Sequence, residues 1–243
     1  MNQSPKMKVE IWSDVMCPFC YIGKRNYEAA IRQFPDGEHI ELIWKSFQLD
    51  PSIPTPTDTS TTTLQYLSIS KGLSRAQVVQ MTQGVAQTAK KVGLDFHLDK
   101  TLVTNTFSAH RLIQMAKTKG LGDRAEEKLF YAYFIETKDI ADPEVLHAIG
   151  MEIGLTVAEV HDALTQERYA LLVRQDIEEA RRIGVRGVPF FVFDRKYAVS
   201  GAQPPQVFLE TLNKSFGEWK EANPVIQLDT VGGPTCTPEG NCE

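Results

Sequence analysis

Polar and apolar residues alternate along Lys8-Val-Glu-Ile-Trp-Ser-Asp14, with β-branched members, and this period of two predicts a strand. The period then lengthens. Ile22, Tyr27, Ala30, Ile31 and Phe34 recur at helical steps and predict a helix over 21–34, which Pro35-Asp36-Gly37 ends. Residues 40–47, with Leu42, Ile43 and Trp44 adjacent, predict a second, mostly buried strand. Strand, helix and strand in one short run make a βαβ unit, and a right-handed crossover sets its strands parallel.

Residues 49–63 are rich in Pro, Thr and Ser and predict an irregular crossing. A helical region follows. Val85, Ala89 and Val92, then Leu112, Met115 and Ala116, then Phe130 with Phe134 repeat at three- and four-residue steps. Leu146, Ile149 and Ile153, then Val160 with Leu164, then Val173, Ile177 and Ala180 continue the pattern up to a stop at Gly184. These stripes are read as helix-bundle core. Val188-Pro-Phe-Phe-Val-Phe193 predicts a strand, Asp194-Arg-Lys-Tyr197 a hairpin turn, 197–200 a short strand, and Val207, Leu212 and Phe216 a closing helix. No internal repeat is visible. The order is βαβ, helices, ββα, so the class is α/β with a large all-helical insertion. Residues 1–62 and 185–220 supply the two parts of the α/β unit, 63–184 the insertion, and the Pro/Gly-rich 221–243 a mobile tail.

Composition narrows the function. The chain has 243 residues, 42% of them hydrophobic and 23% charged, which is an ordinary globular balance able to bury a sizeable core. A formal charge of −5 without any Lys/Arg block argues against nucleic acid or an anionic membrane as partner. No stretch has the apolar length of a signal h-region or a membrane span, and the location expected is cytoplasmic. In that reducing compartment a permanent disulfide is not expected, so the pairs Cys17/Cys20 and Cys236/Cys242 suggest redox cycling or metal binding.

The first pair carries the chemistry. A strand that runs into Cys17-Pro-Phe-Cys20 and then a helix puts Cys17 at the N-cap and Pro18 at the first helical position. Unpaired N–H groups of the first turn and the positive end of the helix dipole stabilise a thiolate there, which lowers a thiol pKa from about 8.5 into a range of roughly 3.5 to 7.5. Cys17 is therefore the expected nucleophile. Cys20, one turn on and deeper, is within disulfide reach and is the expected resolving thiol. Structural zinc needs a second ligand pair, and the nearest other cysteines lie in the tail, so no metal is expected. Inert packing suits a strand-to-helix junction poorly. A second signal is Gly187-Val188-Pro189-Phe190: proline is tolerated at the first residue of a strand, and such sites often hold a cis peptide.

Strand, CPFC, helix and strand, then a helical insert, then VPFFVF, a hairpin and a closing helix resemble the thioredoxin-fold DsbA superfamily over residues 8–219. The segments SDVMCPFCYIGK, FQLDP, NTFSAHRL, GVRGVPFFVFD and VSGAQPP resemble its FrnE-type subgroup. The resemblance implies that Pro189 is a cis-proline facing the cysteines, that the Val188 backbone adds a substrate chain as a strand, and that Pro18 and Phe19 flank the groove. It also implies that the NTFSAHRL segment roofs the site, where His110 either assists proton transfer at the substrate or is bonded to a helix neighbour. Arg186 either favours the thiolate or faces solvent, and Asp14 with Lys45 is a possible proton path. Some FrnE-type proteins carry an extra C-terminal pair, so Cys236 and Cys242 are candidates for accessory disulfide exchange.

The function implied is a thiol-disulfide oxidoreductase acting on protein thiols and disulfides or on small disulfides. It needs no cofactor, and glutathione or a thioredoxin-type dithiol is a possible electron partner. Two rivals stand beside it. Relatives similar to kappa-class transferases and 2-hydroxychromene-2-carboxylate isomerases activate glutathione with a Ser near the Cys17 position, but they lack the second cysteine. A chaperone-like module would use the groove under the helices without catalysis. Oligomeric state and direction of electron flow are not encoded in the motifs.

Overall fold

The structure is a computed structural model that describes residues 5–58 and 61–224. Its strands are β1 (Met7–Ser13), β2 (Ile40–Ser46), β3 (Phe190–Phe193) and β4 (Tyr197–Ser200). Its helices are α1 (Pro18–Ile31), α2 (Thr63–Lys71), α3 (Arg75–Lys90), α4 (Phe107–Lys117), α5 (Gly122–Phe134), α6 (Pro143–Ile153), α7 (Val157–Thr165), α8 (Glu167–Arg182) and α9 (Pro205–Ala222). The sheet order is β2-β1-β3-β4. β1 and β2 run parallel with Met7 opposite Ile40 and Ser13 opposite Ser46, and β3 is antiparallel to both its neighbours.

The alternation in β1 has a physical meaning on both faces. Met7, Val9 and Ile11 enter the main core, where Tyr27 of α1 and Phe208 of α9 pack on Phe191 of β3. Trp12 points the other way, into a smaller cluster with Ala180, Val185 and Val192. Only Lys8 of this strand is exposed, and even Glu10 is buried, because helices cover both faces of the sheet.

Local sequence explains where the insertion breaks into helices. Thr62 with Gln65, Ser74 with Gln77, and Thr156 with Glu159 form reciprocal capping boxes that start α2, α3 and α7. Asp142 caps α6 ahead of Pro143, and Gly72 and Gly154 end α2 and α6 in the left-handed conformation. α5 is fastened to α1 by Tyr21 stacked on Phe130, with ring centroids 4.8 Å apart.

α1 begins at Pro18, directly after the Cys17 cap as expected, but ends at Ile31, short of Phe34. β3 begins at Phe190 instead of Val188, because Pro189 has no N–H for the ladder. Asp194 and Arg195, both at positive φ, make the turn into β4. Among the described residues no helix is long and apolar enough to cross a membrane.

Candidate active site

Cys17 occupies the N-cap of α1 in extended conformation, with Pro18 inside the first turn. Its N–H donates to the Asp14 carbonyl at 2.9 Å, and the Cys20 N–H donates to the Cys17 carbonyl at 3.0 Å. The strand therefore ends in a tight turn that delivers the thiol to the helix start. Both cysteines are free thiols, 5% and 1% exposed. Burial, then the hydrogen bond and charge of Cys17, push the Cys20 thiol pKa well up, against the smaller opposing effects of the Asp14 backbone and the Ser13 hydroxyl.

The loop before β3 closes over the pair. The Cys17 thiol donates to the Val188 carbonyl at 3.4 Å, and the Val188–Pro189 peptide is cis. Pro189 is buried and Val188 half-buried. Gly23 makes this approach possible, since a Cβ there would sit 2.9 Å from the Pro189 Cγ. Pro18 is half-buried, and Phe19 projects into solvent at 44% exposure. Residues distant in sequence thus meet at one edge: Cys17, Pro18 and Phe19 from α1, and Val188 and Pro189 from the opposite loop.

Behind the thiols lies a buried polar cluster. The Ser13 hydroxyl donates to Glu126 Oε1 at 2.6 Å, and the Leu49 N–H donates to Asp14 Oδ2 at 2.7 Å. His110 Nε2 is 3.5 Å from Asp14 Oδ1. Burial by itself lowers the His110 pKa, but Asp14, the Glu126 charge and the Phe47 carbonyl together outweigh it and raise the net value. Glu126 is pushed up to about 7, chiefly by burial and further by Asp123 and Asp14, while His110 and the Ser13 hydrogen bond oppose.

The remaining sequence candidates fall in different places. His110 is 1% exposed, with its Nε2 toward Asp14, so it stands among buried polar groups instead of on an open surface. Lys45 is no partner of Asp14: its ammonium reaches Asp176 and Glu179, each at 2.9 Å, on the α8 side of the sheet. Arg186 is exposed. Cys236 and Cys242 lie outside the described residues. Among the described residues no group of His, Cys, Asp and Glu could hold a metal. No motif singles out Ser13 or Glu126, although the place of Glu126 in its helix carries a signal. Glu126 shares the apolar stripe of Leu129, Phe130 and Tyr133, where a carboxylate must find a buried partner.

The raised Glu126 value has a sign that stability measurements can read. Between 4.5, its ordinary value, and about 7, the native carboxyl holds a proton that the unfolded chain has lost, so its contribution to stability falls as pH rises through that window. Urea unfolding at about pH 4 and about pH 8 should show wild type losing stability relative to Glu126→Gln, by up to roughly 3 kcal/mol. Equal pH dependence in the two proteins would contradict the burial argument.

Residues 8–213 match the DSBA-like thioredoxin domain. The chain belongs to that family. Among solved structures it is similar to a probable DsbA oxidoreductase from Streptomyces coelicolor, at 34% identity and TM-score 0.81 over 98% of each chain. It is also similar to the cytosolic disulfide reductase DsbM from Pseudomonas aeruginosa, solved with GSH, at 18% identity and TM-score 0.61 over 86% of this chain and 99% of that one. The latter likeness concerns the fold alone. Among curated proteins, YwbO of Bacillus subtilis (strain 168), described as uncharacterized, is 27% identical over 207 residues, 84% of this chain and 95% of its own length. In DsbA-family terms, the βαβ and ββα parts carry the thiols and the cis-Pro loop, and the helices between them back the site.

Proposed function

We propose that this DsbA-family protein is a thiol-disulfide oxidoreductase in which Cys17 attacks and Cys20 resolves. The observation that carries the reading is the pair of free thiols one helical turn apart, Cys17 at the helix start against the Val188–Pro189 loop and Cys20 buried beneath it. The Cys17 thiolate attacks one sulfur of a substrate disulfide, forming a mixed disulfide and releasing the other half as a thiolate. Cys20 then attacks Cys17, closing the Cys17–Cys20 bridge and releasing the second half. The same steps in reverse donate a disulfide.

In this reading residues 1–62 and 185–220 are the thiol-bearing unit, and 63–184 is a helical cover. Pro18, Phe19, Val188 and Pro189 contact the substrate. The substrates are protein or small disulfides, glutathione or a dithiol protein exchanges electrons, and the location is cytoplasmic. Assignment to the FrnE-type subgroup, with Cys236 and Cys242 as an accessory exchanging pair, belongs to the same reading. Retention of Cys20 weighs against the serine-based glutathione transferases and isomerases of this fold. The test is turbidimetric insulin reduction with dithiothreitol or glutathione as electron source. Catalysis above the uncatalysed rate is expected; a rate equal to that without protein, from both reductants, together with no oxidation of reduced ribonuclease, would overturn the reading.

A further inference from the structure

Where α4 and α8 pass over the end of β2 they line a cavity of about 640 Å³. That volume lies within the roughly 300–1,000 Å³ of small-molecule sites. Three cations border it, Lys45 of β2, Lys117 of α4 and Arg182 of α8, against two carboxylates of α8, Asp176 and Glu179. Both carboxylates are already engaged. Asp176 Oδ1 accepts from Lys45 Nζ at 2.9 Å, and its Oδ2 accepts from the Ser46 N–H at 3.0 Å and Gln114 Nε2 at 2.6 Å. Glu179 accepts from Lys45 Nζ at 2.9 Å and from Arg195 Nη1 at 2.6 Å.

The other two cations have donors to spare. Lys117 Nζ donates to Gln114 Oε1 at 3.0 Å but stands 3.7 Å from Asp176 Oδ2, beyond hydrogen-bond reach, although its side chain is only 25% exposed. An ammonium carries three N–H donors, so two of them face the cavity without a protein acceptor among the described residues. Burial, and then the Lys45 charge, pull the Lys117 pKa below its ordinary value against the opposing charges of Asp176 and Glu126. Arg182, exposed in the last turn of α8, has no carboxylate within ion-pair reach among the described residues. Leu172 adds an apolar wall at 37% exposure.

Carboxylates that are taken and cationic donors that are not call for a ligand that brings acceptors. We propose that this cavity binds a small organic oxyanion, a phosphate or carboxylate on an apolar body, with Lys117 and Arg182 holding the charged group and Leu172 packing on the body. Ammonium and guanidinium supply charge-assisted hydrogen bonds to such a group, and its charge offsets the burial of Lys117. No thiol takes part. The ligand bridges α4 and α8, so its binding also stabilises the folded chain by mass action.

The experiment is isothermal titration calorimetry of the full chain with phenyl phosphate, benzoate and inorganic phosphate in turn, in about 0.1 M salt so that exposed charges are screened. Saturable binding at one site is expected for an aromatic anion, several-fold tighter than for inorganic phosphate because only the former covers Leu172. The stronger of phenyl phosphate and benzoate identifies the charged group that the site prefers. Lys117→Gln and Arg182→Gln are each expected to weaken binding on the order of 10-fold, while Lys90→Gln, at an exposed pair with Asp95 outside the cavity, leaves it unchanged. Arg182 is exposed, so Arg182→Gln should keep the wild-type urea midpoint, and its loss of affinity then reports contact with the ligand and not unfolding. Affinity that survives both substitutions, or that falls equally in Lys90→Gln, would overturn the site, as would the lack of saturable binding by all three anions. Inorganic phosphate binding as tightly as phenyl phosphate would overturn the organic ligand.

Discussion

Cys17→Ser is expected to abolish insulin reduction, by roughly 10³-fold or more, without unfolding the protein. The serine hydroxyl is nearly isosteric with the thiol and can keep the contact to the Val188 carbonyl, which the thiol makes at 3.4 Å. What it lacks is an ionisable sulfur able to exchange with a disulfide. Cys20→Ser should behave differently. Its Cys17 still attacks, but nothing resolves, so the Cys17–substrate adduct accumulates and appears in intact mass as enzyme plus one substrate half. The two variants also separate the rival readings. A glutathione transferase or isomerase of this fold would keep activity with serine at position 17, and a chaperone would suppress aggregation with both cysteines replaced. Insulin reduction that survives Cys17→Ser would remove the mechanism.

The largest stability effect is expected on the α8 side of the sheet, in Asp176→Ala. Asp176 is 6% exposed and gathers three donors from two elements: Lys45 Nζ at 2.9 Å and the Ser46 N–H at 3.0 Å from β2, and Gln114 Nε2 at 2.6 Å from α4. Its backbone carbonyl also accepts the Trp12 indole N–H at 2.9 Å. Truncation leaves the Lys45 ammonium with less compensation and two buried donors short of an acceptor, which costs roughly 3–5 kcal/mol. Urea unfolding should show the midpoint falling steeply, while Lys90→Ala, which breaks an exposed pair with Asp95, should leave it nearly unmoved. Wild-type stability in Asp176→Ala would mean that α8 is held to the sheet by apolar packing alone.

The reading from sequence succeeded where the physics is local. Alternation in residues 8–14 reports a strand because successive side chains point to opposite faces. The CPFC segment reports its own geometry, since a proline after a capping cysteine fits only a helix start. Pro189 is legible for the same reason, as a residue without an N–H beside a strand.

The polar groups behind the site are a different case. His110 shares a helix with many apolar residues, and nothing in NTFSAHRL says that its ring meets Asp14; that depends on how α4 packs behind β1. Lys45 illustrates the converse, because position alone made it a candidate partner for Asp14, and the packing of α8 gave it Asp176 and Glu179 instead.

By itself, then, the chain determined its strands, the helix start that carries Cys17, and a second thiol one turn later, because each depends on neighbours within a few residues. Tertiary structure alone decided that Glu126 stands beside Ser13, 113 residues away in sequence, and that the Val188–Pro189 loop covers Cys17. A side chain's partner across the fold is set by sheet order and helix packing, and periodicity specifies only which face is buried.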